Sequence, residues 1–474
     1  GLVLTMLIGF PVAFSLAFLG LACGFFAISM DWFPVSFMSN LPLNIFGILS
    51  NDLLLAIPFF TFMGAILEKC GLAEDMLDSM GQLFGTVKGG LGYSVIIVGF
   101  ILGAITGTVA GQVIAMALIS LPVMIRYGYN MRYATGVLAA SGTITQLVPP
   151  SLVLVVMADQ LGRSVGDMYK GAWGPSMLQV GIFALYTFAL GIVKPDHVPG
   201  IPKEARTADG FHLWMKCLRG IIPSAFLIFA VLGSMGGLPG INTAIATPTE
   251  AGAMGCVGAL ILAAIHNRLD KALVWEAMHS TMRLTAMVVF ILIGSRVFSM
   301  VFQGVDGAKW VEHLLSGLPG GQVGFLVVVN IFIFFLAFFL DFFEIAFIIL
   351  PMLAPVANKL GIDMIWFGVL LCVNMQTSFM HPPFGFALFY LRGVAPKSLK
   401  SSDIYYGALP WVGLQLILVA IIIFIPETVT YFVDKPTVAI DANGPSIDPL
   451  AGVEQNEITV DSSSEIERQL RENK

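Results

Sequence analysis

Apolar runs of about 20 residues, each bounded by glycine, proline or charge, follow one another to about position 425. A run of that length crosses a hydrocarbon core roughly 30 Å thick as a helix. The strict alternation that a membrane barrel needs is missing, so the pattern predicts an all-α polytopic membrane protein. Nine full crossings are expected, at residues 2–30, 52–68, 133–157, 176–193, 221–235, 247–266, 284–302, 365–391 and 406–425. Residues 93–125 and 325–357 differ, each holding about 33 residues with a small or polar interruption at the middle. That is too long for one crossing and reads as a re-entrant hairpin. Residues 72–87 and 305–315 have the amphipathic pattern of short arm helices.

The pattern also repeats. A constant offset of 233 places Pro122 on Pro355, Gly128 on Gly361, Met131 on Met364, Pro149 on Pro382 and Pro150 on Pro383. The same offset pairs Asn130 with Asp363, Ser141 with Asn374 and Thr145 with Ser378. Each unit runs span, span, arm helix, hairpin, broken span, span. The extra crossing at 221–235 turns the second unit over, so the repeats have inverted topology, the architecture of alternating-access transporters. The expected divisions are residues 1–193 for the first repeat, 194–236 for a basic loop and connecting span, 237–425 for the second repeat, and 426–474 for a tail.

Charge supplies the orientation. With the residues before the first crossing in the cytoplasm, fifteen lysines and arginines fall inside and four outside, the bias that bacterial membrane proteins show. Hairpin 93–125 then opens from the cytoplasm and hairpin 325–357 from the outer side. Charged residues make up only 11% of the 474, against roughly 25% in soluble domains, and mean hydropathy is +0.87. A water-soluble globule and a nucleic-acid partner are excluded; lipid is the surrounding medium. The net charge of −6 belongs to the tail, where ten acidic residues face four basic ones; its polar composition predicts disorder. Five scattered cysteines carry no disulfide or metal-knuckle spacing and read as buried small residues.

The candidate chemistry sits where the repeat is interrupted. The matched segments are GTITQLVPPS (142–151) and MQTSFMHPPF (375–384). Proline has no N–H, so Pro149 and Pro150 leave the carbonyls of Thr145 and Gln146 without helical donors, as Pro382 and Pro383 do for Ser378 and Phe379. Carbonyls and hydroxyls at mid-membrane suit sodium, a hard cation that takes oxygen ligands. The first hairpin tip reads GAITGTVAG, with Thr106 and Thr108 flanking Gly107; the second reads FFLDFFEIAF, with Asp341 and Glu344 three apart and expected on one helix face. Carboxylates inside an apolar run are functional candidates. Half-helices restarting after the proline pairs point positive ends inward and favour an anion such as a carboxylate. Pro150, Ser151, His381 and Pro383, at those restarts, are the candidate substrate contacts. TPTE (247–250) reads as a capping box, and Arg296 as a lone cation in a span that pairs or snorkels. The histidines have no metal spacing, and neither an HExxH nor a GxSxG sequence is present.

With these residues in view, the chain resembles the large membrane (permease, DctM-like) subunit of tripartite ATP-independent periplasmic (TRAP) transporters over nearly all of residues 2–425. The marks are LVPPSLVLVVMADQLGRSVGDMYKGA (147–172), ATPTEAGA (246–253) and FFLDFFEIAFIILPMLAP (338–355). The LDFFEIAF form looks like a branch whose relatives carry mannitol, chloroaromatic or keto-acid ligands. The resemblance implies a sodium-coupled importer of an organic acid in the bacterial inner membrane, with no organic cofactor and no enzyme activity. It implies two partners, a small four-span membrane subunit and a periplasmic substrate-binding protein, and an elevator-type motion. Its sodium sites map to Thr106, Gly107 and Thr108 with Ser141, Gly142, Thr143, Thr145 and Gln146, and to Asp341, beside Glu344, with Asn374, Gln376, Thr377 and Ser378. Many relatives have serines where Thr106 and Thr108 stand. The rival readings are a stand-alone sodium–carboxylate symporter or sodium–proton antiporter of related fold, an intramembrane enzyme, and a channel.

Overall fold

The structure, a computed structural model, describes residue 5 and residues 10–85, 87–106, 108–201, 210–241, 243–382, 385–397 and 399–433. Helices account for all of its regular structure among the described residues, which contain no strand. Helix α1 (Val12–Ser29) leads into a short helix at Val35–Met38 and α2 (Leu41–Leu49), which bends by 46° into α3 (Asp52–Lys69). The apolar pattern does not announce residues 35–49, because Pro34, Asn40, Pro42 and Asn44 interrupt it. Pro42 stands in the first turn of α2, where a missing N–H costs nothing.

The arm helix α4 (Leu72–Phe84) precedes the first hairpin, α5 (Gly90–Thr106) and α6 (Val109–Arg126). The expected crossing 133–157 is divided into α7 (Met131–Thr143), a 3-10 turn at Ile144–Gln146, and α8 (Leu152–Leu161). Next come α9 (Val165–Val193), α10 (Gly210–Ser234), α11 (Pro248–Ile265) and α12 (Lys271–Gly304). The second arm helix is α13 (Gly307–Ser316), and the second hairpin is α14 (Gly321–Leu336) and α15 (Phe342–Lys359), the latter with a π turn at Ile345–Ile349. The crossing expected at 365–391 is likewise divided into α16 (Met364–Met375), a 3-10 turn at Gln376–Phe379, and α17 (Phe386–Val394), before α18 (Ser401–Phe424). Seven helices among the described residues are long and apolar enough to cross a bilayer, or eight if the bent pair is one span. Hairpin arms α6 and α15 are among these seven, whereas α5, α14 and every half-helix fall short, so the crossings expected at 133–157 and 365–391 are not single spanning helices.

The caps explain the starts. Gly128 and Gly361 hold φ of 73° and 72°, a left-handed turn that glycine adopts without strain. Two residues later Asn130 accepts from the N–H groups of Arg132 and Tyr133 (3.0 and 3.3 Å), and Asp363 accepts from Trp366 N–H (2.8 Å). Thr247 and Glu250 form the expected capping box, at 3.3 and 2.8 Å. Ser164 caps α9 twelve residues before the expected span, and Asp270 caps α12 well before residue 284.

The two units exchange partners. Helix α1 packs on α12 and α3 on α11; α6 packs on α17 and α15 on α8; α7 packs on α18 and α16 on α9. In each pair the corresponding elements trade places, the packing that a pseudo-twofold relation produces. The α7–α18 crossing is backbone on backbone: a Cβ at Gly136 would lie 2.2 Å from the Gly407 carbonyl oxygen.

Two expectations are corrected. Residues 426–433 are not part of a disordered tail: a turn of helix at Glu427–Thr430 docks on α9 and α16 with Val429 fully buried. Residues 434–474 lie outside the described residues. Cys23 is exposed, while Cys70, Cys217, Cys256 and Cys372 are buried.

Candidate functional site

At the first break, the backbone turns tightly between Thr143 and Ser151 because the proline pair offers no N–H to continue the ladder. Hairpin helix α5 lies directly on this turn. The Thr145 hydroxyl donates to the Gly103 carbonyl at 3.0 Å, and a Cβ at Gly103 would sit 2.9 Å from Thr145 Cα. Gln112 of α6 donates to the carbonyls of Gly99 (2.6 Å) and Ser141 (3.1 Å), joining both hairpin arms to α7. Gly142 faces Val113, with a Cβ there only 2.2 Å from a methyl carbon, so its contribution is close packing. Ser141 Oγ and Gln146 Oε1 are buried without a hydrogen-bond partner among the described residues. A buried polar atom left so costs about 1–3 kcal/mol. Uncharged oxygens of this kind match the donor set that sodium takes.

The freed carbonyls are used differently from expectation. Gln146 O accepts from Ser151 Oγ (2.5 Å), and Leu147 O accepts from Ser176 Oγ (3.3 Å). Ser151 Oγ also accepts from Val153 N–H (3.2 Å), so it caps α8 and is committed to the fold. Thr143 donates to Ala140 O (2.8 Å) on its own helix. Pro150 lines a very small gap with Thr61 and Thr108. Thr108 donates to Glu68 Oε2 at 3.4 Å; the Thr106 side chain and Gly107 lie outside the described residues.

At the second break, Asn374 donates to the Asn330 carbonyl of α14 (2.8 Å), and Asn374 Oδ1, Asn330 Oδ1 and Ser378 Oγ are buried and unpartnered among the described residues. Asp341 and Glu344 do not share a helix face. The chain is broken at 337–341, and Asp341 caps α15 in a box: Asp341 Oδ1 accepts from Glu344 N–H (3.1 Å), and Asp341 N–H donates to Glu344 Oε2 (3.0 Å). The cap turns both carboxyl groups to the hairpin tip. His381 is buried, its ring stacked 4.1 Å from Phe338 and edge-to-face with Phe334 at 4.4 Å. It packs the tip against the break. Pro383 lies outside the described residues.

Gln376 is also redirected. Its Oε1 accepts from Gln179 (2.8 Å) and Gln415 (2.6 Å), and Gln415 also donates to Val373 O (3.0 Å). This buried cluster braces α16 between α9 and α18. Thr377 donates to Asn374 O (2.7 Å), from the 3-10 turn back to the end of α16. The two breaks meet where Thr143 Oγ1 lies 3.9 Å from Met380 Sδ.

Sequence reasoning missed Glu68, Thr61 and Asn330. Glu68 ends the expected crossing 52–68 beside Lys69, and its carboxylate lies on α6, where a Cβ at Gly111 would be 2.1 Å from Oε2. Thr61 and Asn330 stand inside apolar runs, and a single polar residue there was the available signal.

An all-α membrane protein with two hairpins, each tip held against a broken helix, is a secondary transporter in construction. The chain belongs to the tripartite ATP-independent periplasmic transporters, as their DctM component, which it matches over residues 1–428. It is 28% identical over 423 residues to the Escherichia coli 2,3-diketo-L-gulonate TRAP transporter large permease protein YiaN, covering 89% of this chain and 95% of that one. It is 29% identical over 401 residues to the Pseudomonas aeruginosa C4-dicarboxylate large permease protein DctM, covering 84% and 90%. The isethionate TRAP transporter permease protein DctMQ of Oleidesulfovibrio alaskensis is 25% identical over 431 residues, 90% of this chain and 65% of that one. Among solved structures, the Alcanivorax borkumensis YdaH transporter has the same fold, with TM-score 0.56 and 16% identity over 84% of this chain and 89% of that one. The protein is thus a TRAP large permease subunit, a multi-pass inner-membrane transporter component and not an enzyme.

Proposed function

We propose that this subunit imports an organic acid, a C4-dicarboxylate or a similar carboxylate, handed over by a periplasmic substrate-binding protein, and that sodium entry drives the uptake. It works with a small four-span membrane subunit. The observation that carries the sodium assignment is the pair of breaks at which Ser141 Oγ and Gln146 Oε1, and Asn374 Oδ1 and Ser378 Oγ, are buried without partners against the two hairpins. Those residues, with Thr145 and Asp341, would hold two sodium ions, whose binding fixes each hairpin tip against its broken helix. The names of the relatives, 2,3-diketo-L-gulonate, C4-dicarboxylate and isethionate transporters, support an organic acid. Hairpins and broken helices then slide as one body past α1, α3, α11 and α12 in an elevator motion.

The test is reconstitution with the small subunit and binding protein, with uptake measured in the presence and absence of an inward sodium gradient. Uptake is expected only with the gradient; uptake indifferent to sodium removes the coupling. Uptake by this chain alone favours the stand-alone symporter. In the same assay Thr145→Ala loses one hydroxyl bond worth about 1 kcal/mol while keeping its backbone carbonyl, so the half-saturating sodium concentration is expected to rise about fivefold. An unchanged sodium dependence would take Thr145 out of the site.

A further inference from the structure

A cavity of about 580 Å³ lies away from both breaks, between α2, α8, α12 and α15. Its polar wall includes Asn40, Asn44, Asp159, Arg296, Ser299 and Gln303, and an adjoining space of about 200 Å³ shares five of these, all but Asp159. The volume is in the range of small-molecule sites. Arg296 stands in the 284–302 apolar run, where a cation is costly unless it has a task or a partner. Its Nε donates to Asn44 Oδ1 at 3.2 Å, and Asn44 is itself held by donating to Asn40 O at 2.9 Å. Among the described residues no carboxylate comes within 4.0 Å of the guanidinium. Asp159, the acidic residue in the same wall, is already engaged: Asn51 donates to Oδ1 (2.8 Å) and Gln160 to Oδ2 (2.9 Å). The guanidinium is oriented on its Nε side and leaves its paired N–H donors to the cavity, the fork that matches a carboxylate. The walls also come from both kinds of element, α2 and α12 on one side and the broken-helix and hairpin helices α8 and α15 on the other.

We propose that Arg296, positioned by Asn44, binds a carboxylate group of the transported acid in this cavity; the assignment rests on the organic-acid reading above. Asn44 is a positioning residue, and Ser299 and Gln303 supply hydrogen bonds beside the cation. The acid is held here between the two groups of helices.

The test uses the full chain in lipid nanodiscs, with acetate, succinate and benzoate as probes and succinamide as the uncharged control, binding being read by titration calorimetry. At least one acid is expected to bind, and succinamide is not. Arg296→Gln is expected to weaken that binding about tenfold or more. Arg296→Lys falls between, because an ammonium cannot make the paired bond. Gln303→Glu leaves Arg296 in place and sets a negative charge beside it, with an expected loss of similar size. Binding unchanged in both Arg296→Gln and Gln303→Glu, or no binding of any of the three acids to the wild type, overturns the proposal. Uptake by the full complex separates the two readings: sodium-driven acid uptake with a KM unmoved by Arg296→Gln removes this site and leaves the importer standing, whereas no acid uptake at all removes the importer reading and this site with it.

Discussion

Asp341→Ala is expected to abolish sodium-dependent uptake while the protein still folds and inserts. Two effects of the substitution differ in size. Asp341 is the N-cap of α15, and losing a cap costs about 1 kcal/mol, too little to unfold a protein of this size. If the carboxylate also faces a sodium ion, its charge contributes far more: two unit charges 4 Å apart at an effective dielectric of 20 interact by about 4 kcal/mol, roughly a thousandfold in affinity. Asp341→Asn separates them, since asparagine caps as well as aspartate but carries no charge. It is expected to restore thermal stability and not uptake. Sodium-driven uptake in proteoliposomes, with thermal unfolding of each variant, checks both parts. Uptake near the wild-type rate in Asp341→Ala would contradict the sodium assignment of the second tip.

Gly103→Val is expected to have an effect of the same order at the other tip. A Cβ there would stand 2.9 Å from Thr145 Cα and 3.2 Å from Thr145 N. Both are backbone atoms and cannot swing aside as a flexible side chain would. The hairpin must therefore separate from the break, breaking the 3.0 Å bond from Thr145 Oγ1 to Gly103 O. Overpacking of this kind costs about 1–3 kcal/mol, and loss of sodium-dependent uptake should accompany it. Gly103→Ala is expected to be milder. Gly181→Val, where an added Cβ meets nothing within 4 Å, is the control that should retain full uptake. A Gly103→Val protein with normal sodium dependence would show that α5 need not touch the break.

What the sequence alone determined is local. The length of an apolar run decides that it is a helix able to cross lipid, and a proline pair decides where a helix stops, because the missing N–H needs no knowledge of any neighbour. Hence the fold class, both hairpins, both breaks and the repeat were legible, including the match of Asn130 with Asp363, though not their role as caps. Residues 35–49 were not, because their prolines and asparagines interrupt the apolar run while α12 still offers them a surface. The tertiary structure alone decided which polar atoms are spoken for. Ser151 takes the Gln146 carbonyl, Gln179 and Gln415 take the Gln376 amide oxygen, and Asp341 and Glu344 satisfy each other's N–H groups. Hydrogen bonding is a matter of which groups lie within about 3 Å, and partners such as Gln179 and Gln376 stand 197 residues apart in the chain. The same reason hid Glu68 beside the first tip and the cavity around Arg296, since each is built from segments that meet only when the chain is folded.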